Sequence, residues 1–290
     1  MKVPSNRIKD IRIYYTKQLS TVSNSQESAF MVDTIIAHYL NIRRMELALN
    51  YDRRVGESML LKIHFAVKDL MKHRPLQYVL GETEFCNSRF FVDEDVLIPR
   101  PETEELVEMI ISENKNNSVP MRILDIGTGS GCIAVSLANT IDSDVYAVDI
   151  SSAALNIARK NSALNNVSVE FIELDILNVV DCQEVPDEID IIVSNPPYVR
   201  DLEKSQMQSN VLEFEPSLAL FVKDNKSLIF YEAISKIAVK KLKTNGVLWF
   251  EINEYLAKET SHLVAAYFEK VEVFNDYKGR PRFLKAFSIT

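Results

Sequence analysis

The sequence predicts an α/β fold: a mainly parallel β-sheet covered by helices on both faces, preceded by a small helical bundle. Three observations predict it. From Met121 onward, short apolar runs alternate with amphipathic stretches of helical period. Those runs are continuous rather than alternating, as expected of strands buried on both faces. The first 75 residues, by contrast, carry helical periodicity with almost no Gly or Pro.

In chain order, Ser25-Gln26-Glu27-Ser28 has the character of a helix start, and Ala29, Phe30, Val32, Ile35, Ile36, Tyr39 and Leu40 follow at helical spacing. A second helix is predicted from Glu57 to about Lys72. Gln77–Ile98 mixes β-formers with turn residues around Cys86-Asn87-Ser88, which predicts a β-hairpin. Pro101 or Thr103 suits the start of a helix reaching about Lys115. Seven sheet strands are predicted over 122–126, 144–149, 168–174, 189–194, 246–252, 271–274 and 283–289. Helices are predicted over 132–139, 152–165, 226–242 and 254–268. In such a sheet, ligands bind beyond the carboxyl ends of the strands, so the informative residues follow each strand.

The 290 residues carry a formal charge of −8, unevenly spread. Residues 1–75 hold 13 Lys/Arg against 7 Asp/Glu, and the remainder 20 against 34. A basic lobe on an acidic body fits either a directional partner surface or ordinary solvated helix faces. The acidic body opposes nonspecific binding to nucleic acid. No apolar run reaches the roughly 20 residues needed to span a bilayer, and the N-terminus lacks the apolar core of a signal peptide. Cys86, Cys132 and Cys182 form no CxxC pair, which fits a reducing cytoplasm. The four histidines, His38, His64, His73 and His262, are scattered, and no metal site is expected.

The first chemistry-bearing stretch is Leu124-Asp125-Ile126-Gly127-Thr128-Gly129-Ser130-Gly131-Cys132. Strand, glycine turn and helix follow in the order that lets a ligand approach the backbone closely. Its GxGxG spacing is not the GxGxxG of a dinucleotide site, and no Lys-Ser/Thr pair follows, which excludes a P-loop. Asp149, at the end of the next strand, suits ribose hydroxyls or the N-cap of the helix from Ser152; beside the glycine turn, ribose is favoured. Asp175 and Ile176, after the third strand, fall where an adenine would lie. These features resemble the Rossmann-like S-adenosylmethionine-dependent methyltransferases. NAD dehydrogenases compete for the first two strands, and the glycine spacing counts against them.

At the end of the fourth strand stands Ser194-Asn195-Pro196-Pro197-Tyr198-Val199. Asn195 offers a carbonyl acceptor, and the Pro196 carbonyl offers another on a stiff frame. Two such acceptors grip both hydrogens of a planar NH2 group, and Tyr198 can lie over the plane. The stretch resembles the Asn/Asp-Pro-Pro-aromatic motif of methyltransferases acting on exocyclic base amines or on glutamine amides.

Further blocks match one family. They are Arg74-Pro75-Leu76-Gln77-Tyr78-Val79-Leu80-Gly81, Val96-Leu97-Ile98-Pro99-Arg100-Pro101-Glu102-Thr103-Glu104, Glu213-Phe214-Glu215-Pro216 and Phe250-Glu251-Ile252. With the glycine and NPPY blocks they resemble the release-factor glutamine methyltransferases, the PrmC/HemK family. The resemblance implies a helical bundle over 1–75 that docks the substrate protein, a hairpin linker over 76–100 and a methyltransferase domain over 101–290 with a seven-stranded, mainly parallel sheet. It implies methyl transfer from S-adenosylmethionine, leaving S-adenosylhomocysteine, to the glutamine of the Gly-Gly-Gln loop of class-1 peptide-chain release factors in the cytoplasm. Stable nucleic-acid or membrane binding is not expected. Asn195, Pro196 and Tyr198 would be catalytic, with Pro197 and Arg100 also binding substrate. Gly127, Thr128, Gly129, Ser130, Gly131, Asp149, Asp175, Ile176 and Asn195 would bind the cofactor. Pro101 and Thr103 would line the approach. The alternatives are adenine in nucleic acid or a ribosomal-protein glutamine. Two departures from the family pattern are Asn253, where Gly is common, and Phe214, where Tyr is common.

Overall fold

A computed structural model of the chain describes residues 3, 5–117, 119–178 and 182–289. In order, the elements begin with helices α1 (Ile8–Leu19), α2 (Ser25–Leu40), α3 (Glu57–Leu70) and α4 (Leu76–Leu80), then strands β1 (Glu82–Phe85) and β2 (Ser88–Phe91). Next come α5 (Pro101–Asn114), β3 (Met121–Ile126), α6 (Cys132–Thr140), β4 (Ser143–Asp149), α7 (Ser152–Leu164), β5 (Glu170–Glu173) and β6 (Ile189–Ser194). Short elements follow: β7 (Val199–Arg200), α8 (Ser209–Phe214), α9 (Ser217–Leu220) and β8 (Phe221–Val222). The chain ends with α10 (Ile229–Lys241), β9 (Leu242–Glu251), α11 (Ala257–Val264), β10 (Phe268–Asn275) and β11 (Pro281–Ile289). Two compact units result, residues 1–81 with 208–214, and residues 82–207 with 215–290.

The first unit is helical because its apolar residues recur every three or four positions. α1 buries Ile8, Ile11, Tyr15 and Leu19; α2 buries Val32, Ile35 and Ile36; α3 buries Ile63, Val67 and Leu70, all in one core. Each fully buried aliphatic side chain there contributes roughly 1.5–3 kcal/mol. Arg12 forks onto both carboxylate oxygens of Asp33 at 2.5 and 3.0 Å, joining α1 to α2. α2 starts where the sequence predicts: the Asn24 side chain accepts from the Glu27 N–H at 2.9 Å.

The second unit is built on a seven-stranded sheet of order β10-β11-β9-β6-β3-β4-β5. β5, β4, β3, β6 and β9 pair in parallel, and β11 runs against both of its neighbours. Strand residues alternate between two cores. Ile123, Ile191, Val193 and Trp249 face one side with Leu106, Val107 and Ile110 of α5. Leu124, Ile126, Ile192, Leu248 and Phe250 face the other with Tyr231, Ile234 and Ala238 of α10. Burial on both faces explains why these strands read as continuous apolar runs. From β3 the chain builds outward through β4 and β5, then returns to lay β6 on β3's other side. That reversal places the ends of β3 and β6 side by side.

The structure adjusts several predicted boundaries. The hairpin expected across 77–98 is confined to β1 and β2, turning at Cys86 and Asn87, both in the left-handed region. Leu76–Leu80 is instead a helical turn closed by Gly81 at φ 73°. The helix expected over 254–268 is α11 alone, preceded by a tight turn over Glu254–Leu256, because β10 already begins at Phe268. β9 starts at Leu242 rather than 246, so α10 ends at Lys241.

Candidate active site

The glycine turn joins β3 to α6 with Gly127, Gly129 and Gly131 at φ 76°, 54° and 80°. A Cβ added at Gly127 or Gly129 would meet no atom within 4 Å, so open space stands directly over this backbone. Only glycine combines that backbone with an unobstructed approach. Behind the turn, Asp125 is fully buried and its Oδ2 accepts from the Thr128 hydroxyl at 2.6 Å. Burial pushes the Asp125 carboxyl up to about 7, against the opposing pull of the Thr128 bond. The turn is fixed from outside by Asn161 of α7. Its Nδ2 donates to the Ser130 carbonyl at 2.8 Å and to the Phe91 carbonyl at 3.0 Å, and its Oδ1 accepts from the Phe91 N–H at 2.6 Å. One carboxamide thereby joins β2 to the glycine turn.

Asp149, at the end of β4, is drawn to the same turn. Its Oδ2 accepts from the Gly129 N–H at 2.8 Å and its Oδ1 from the Ser151 N–H at 2.9 Å. The N-cap of α7 is Ser151, whose hydroxyl accepts from the Ala154 N–H at 3.2 Å, so the capping alternative for Asp149 is set aside. An ionised carboxylate has about four acceptor positions, which leaves one on each oxygen for further donors. Burial raises the Asp149 carboxyl, and backbone N–H groups, those of Ser151 and Gly129 foremost, pull it down.

SNPPYV leaves β6 beside this turn, and the Ser194 hydroxyl ties the strand ends together by donating to the Ile126 carbonyl at 2.6 Å. Pro196 is buried, and Asn195, Pro197 and Tyr198 are half-buried. Asn195 Nδ2 donates to Thr103 Oγ1 at 3.1 Å, and Thr103 in turn donates to Glu251 Oε2 at 2.6 Å. The other Glu251 oxygen accepts from the Tyr198 hydroxyl at 3.0 Å. Burial raises the Glu251 carboxyl, while the Thr103 and Tyr198 bonds lower it. Burial, then the Glu251 charge, holds the Tyr198 phenol well above its ordinary value. The loop is further held by Asn253, whose Nδ2 donates to the Tyr198 carbonyl at 3.1 Å and to Glu203 Oε2 at 3.1 Å.

The remaining expected residues lie apart from these bonds. Arg100 stands at the N-cap position of α5 without a side-chain cap bond and reaches Glu215 Oε1 at 2.6 Å, and Glu215 Oε2 accepts from the Ile98 N–H at 3.3 Å. Asp175 closes its own turn, accepting from the Leu177 N–H at 2.9 Å and Asn178 Nδ2 at 2.7 Å. Ile176 lines a cavity of about 550 Å³ with Leu177, Ile229, Ala233, Ile237 and Tyr267. No residue of the glycine turn or of Asn195–Tyr198 lines that cavity. Among the described residues, no cluster of three His, Cys, Asp or Glu side chains is placed to hold a metal ion.

Two family models match the chain: the PrmC N-terminal domain over residues 10–81 and the methyltransferase small domain over residues 103–214. The release factor glutamine methyltransferase of Flavobacterium psychrophilum is 46% identical over 282 residues, covering 96% of this chain and 98% of that protein. The chain belongs to the release factor glutamine methyltransferase family. The Bacteroides thetaiotaomicron protein of the same description is 38% identical over 278 residues, covering 95% of this chain and 98% of its own length. Among solved structures, the Thermus thermophilus 16S rRNA N2 G1207 methyltransferase in complex with AdoMet and guanosine aligns at a TM-score of 0.52. It is 17% identical over 71% of this chain and 49% of that one, a likeness of fold alone.

Within this glutamine methyltransferase, the glycine turn and Asp149 are bonded to each other, and Ser194 ties the turn's strand to the start of the NPPY loop. The sequence alone does not point to Asn161 or to the chemical use of Thr103, Glu251 and Asn253. Glu251 carried a signal: it is a lone carboxylate ending the apolar run Val247-Leu248-Trp249-Phe250. Asn253, the departure from the family's Gly, uses the side chain that Gly lacks to hold the Tyr198 carbonyl.

Proposed function

We propose that this methyltransferase transfers a methyl group from S-adenosylmethionine to the side-chain amide nitrogen of the glutamine in the Gly-Gly-Gln loop of class-1 peptide-chain release factors. The observation that carries the proposal is the Asn195 side chain. Its nitrogen is engaged by Thr103, while its Oδ1 accepts no hydrogen bond from the described residues. That oxygen and the Pro196 carbonyl then take the two amide hydrogens of glutamine, with Tyr198 against the amide plane.

The open backbone at Gly127 and Gly129 and the free acceptor positions of Asp149 suit a nucleoside carrying an amino-acid chain. Gly127–Gly131 would lie along the methionine portion and Asp149 would hold the ribose hydroxyls, with Asp175 and Ile176 toward the adenine. When bound, S-adenosylmethionine supplies an activated methyl group and leaves as S-adenosylhomocysteine. An amide nitrogen is a weak nucleophile, so the residues contribute chiefly by orientation; well-oriented reactants gain up to about 7–11 kcal/mol. Glu251 is already engaged by Thr103 and Tyr198, so one amide proton passes to solvent after transfer. Arg100, held by Glu215, borders the substrate side, and the basic residues 1–75 form the docking lobe. Cys86, Cys132 and Cys182 form no disulfide among the described residues, in keeping with a cytoplasmic site of action.

The decisive experiment supplies methyl-labelled cofactor with a purified class-1 release factor, with its Gln→Ala loop variant, or with DNA and RNA. Label on the unaltered release factor alone is expected, and Asn195→Ala should abolish it while cofactor binding persists. Label on nucleic acid, or on the Gln→Ala release factor, overturns the proposal.

A further inference from the structure

We infer that Thr103 and Glu251 form a relay that fixes which end of the Asn195 amide faces the substrate, making both of them positioning residues for methyl transfer. The inference rests on Asn195 acting as the acceptor for the substrate amide. An asparagine amide is nearly symmetric in shape, so packing alone does not decide whether its oxygen or its NH2 points outward. Here the wrong choice is severe. An outward NH2 would oppose the glutamine NH2 donor to donor and remove half of the grip.

The hydrogen bonds settle the choice by direction. Glu251 Oε2 accepts from Thr103 Oγ1 at 2.6 Å and its Oε1 accepts from the Tyr198 hydroxyl, so both carboxyl oxygens act as acceptors and the single hydroxyl hydrogen of Thr103 is committed to Glu251. Toward Asn195, at 3.1 Å, the Thr103 oxygen is then an acceptor only. The Asn195 NH2 must turn to it, and Oδ1 must turn away. A flipped amide would set two acceptors against each other at a residue 3% exposed, where water does not substitute.

The relay is assembled from three distant parts of the chain. Thr103 stands in the first turn of α5, Glu251 ends β9, and Asn195 follows β6. Because β6 and β9 pair with Ser194 opposite Phe250, the next residue of each strand is brought to the same end of the sheet. Glu251 is 1% exposed, and its second oxygen receives the Tyr198 hydroxyl at 3.0 Å. One carboxylate thus sets both the polarity of the amide and the seat of the aromatic ring. Neither Thr103 nor Glu251 is among the residues assigned to the cofactor.

The test compares Thr103→Val, Thr103→Ser and Glu251→Gln with the unaltered enzyme, on a purified class-1 release factor. Turnover, cofactor affinity by calorimetry and thermal unfolding are read on each. Valine keeps the shape and lacks the hydroxyl, and the loss of a buried directional bond predicts a kcat lower by roughly 10- to 100-fold. Cofactor affinity should stay within about 2-fold, because the relay lies off the glycine turn. Serine restores the hydroxyl and should return kcat to within about 3-fold of the unaltered enzyme. Glutamine at 251 keeps the size but adds a donor, so it should lower kcat as valine does; it carries the test should the valine variant fail to fold. Turnover of Thr103→Val equal to the unaltered enzyme, or serine no better than valine, overturns the relay. If the unaltered enzyme itself does not methylate release factor, the glutamine assignment fails instead.

Discussion

Gly131 is the point where the glycine turn presses hardest on the fold. At φ 80° it lies in the left-handed region, and a Cβ added there would sit 3.0 Å from Ala158 Cβ and 3.3 Å from Ala158 Cα of α7. Gly131→Ala therefore carries two separate penalties. The left-handed backbone contributes about 1–2 kcal/mol for a residue with a Cβ. The wedge against α7 contributes about 1–3 kcal/mol, since neither backbone can recede freely. Together they predict a loss of about 2–5 kcal/mol. The two parts separate in a double-mutant cycle: Ala158→Gly removes the wedge but not the backbone strain, at about 1 kcal/mol for a glycine inside a helix. The double variant should then be more stable than the sum of the single losses by about 1–3 kcal/mol. Urea unfolding followed by the fluorescence of Trp249 measures this, because the chain has one tryptophan and it is fully buried in the same unit. Additivity within about 0.5 kcal/mol would show that the turn and α7 do not press on each other, and would refute the steric part.

Two further outcomes follow from the same site. Asp149→Ala removes the acceptors for Gly129 and Ser151 as well as the proposed ribose contact, so calorimetry should show cofactor affinity reduced by roughly 10-fold or more, since hydrogen bonds to a charged group are worth about 1.5–3 kcal/mol; unchanged affinity removes its role. Asp125, raised from 3.8 to about 7 by burial, binds its proton more tightly when folded, so its contribution is full below about pH 4 and is lost as pH rises toward 7. At 1.36 kcal/mol per unit the loss is about 4 kcal/mol. Asp125→Asn should lack it, so the stability difference between the two proteins should widen in the variant's favour from pH 4.5 to 7, and a difference constant with pH would contradict the assignment.

What the sequence made legible was local. The strands of the parallel sheet are readable because burial on both faces makes each one a continuous apolar run. Gly127–Gly131 and SNPPYV are readable because backbone freedom in one and backbone stiffness in the other are both written in residue type. Thr103 and Glu251 are a different matter. They lie 148 positions apart, and nothing in either neighbourhood requires the other until β9 is laid beside β6. Asn161 bonds to Phe91 across 70 positions and was invisible for the same reason. Asp149 shows the intermediate case. Its type and place were legible, but its bond to the Gly129 N–H depends on how the turn folds back over β4. The end of α11 is not legible because apolar spacing continues into β10, and helical period alone does not mark where a strand takes over.

The double proline of the NPPY loop has a thermodynamic consequence for substrate capture. Each ring fixes φ near −65°, and the loop is pinned further through Ser194, Asn195 and the Tyr198 carbonyl. Ordering one backbone residue costs roughly 1–2 kcal/mol, and at Pro196 and Pro197 much of that loss is already absent from the unfolded chain. Little of it remains to be met when an amide arrives. On the role proposed for this loop, recognition takes place on a surface whose disorder was removed at folding, and the entropy of binding reflects the mobility of the incoming glutamine rather than that of the enzyme.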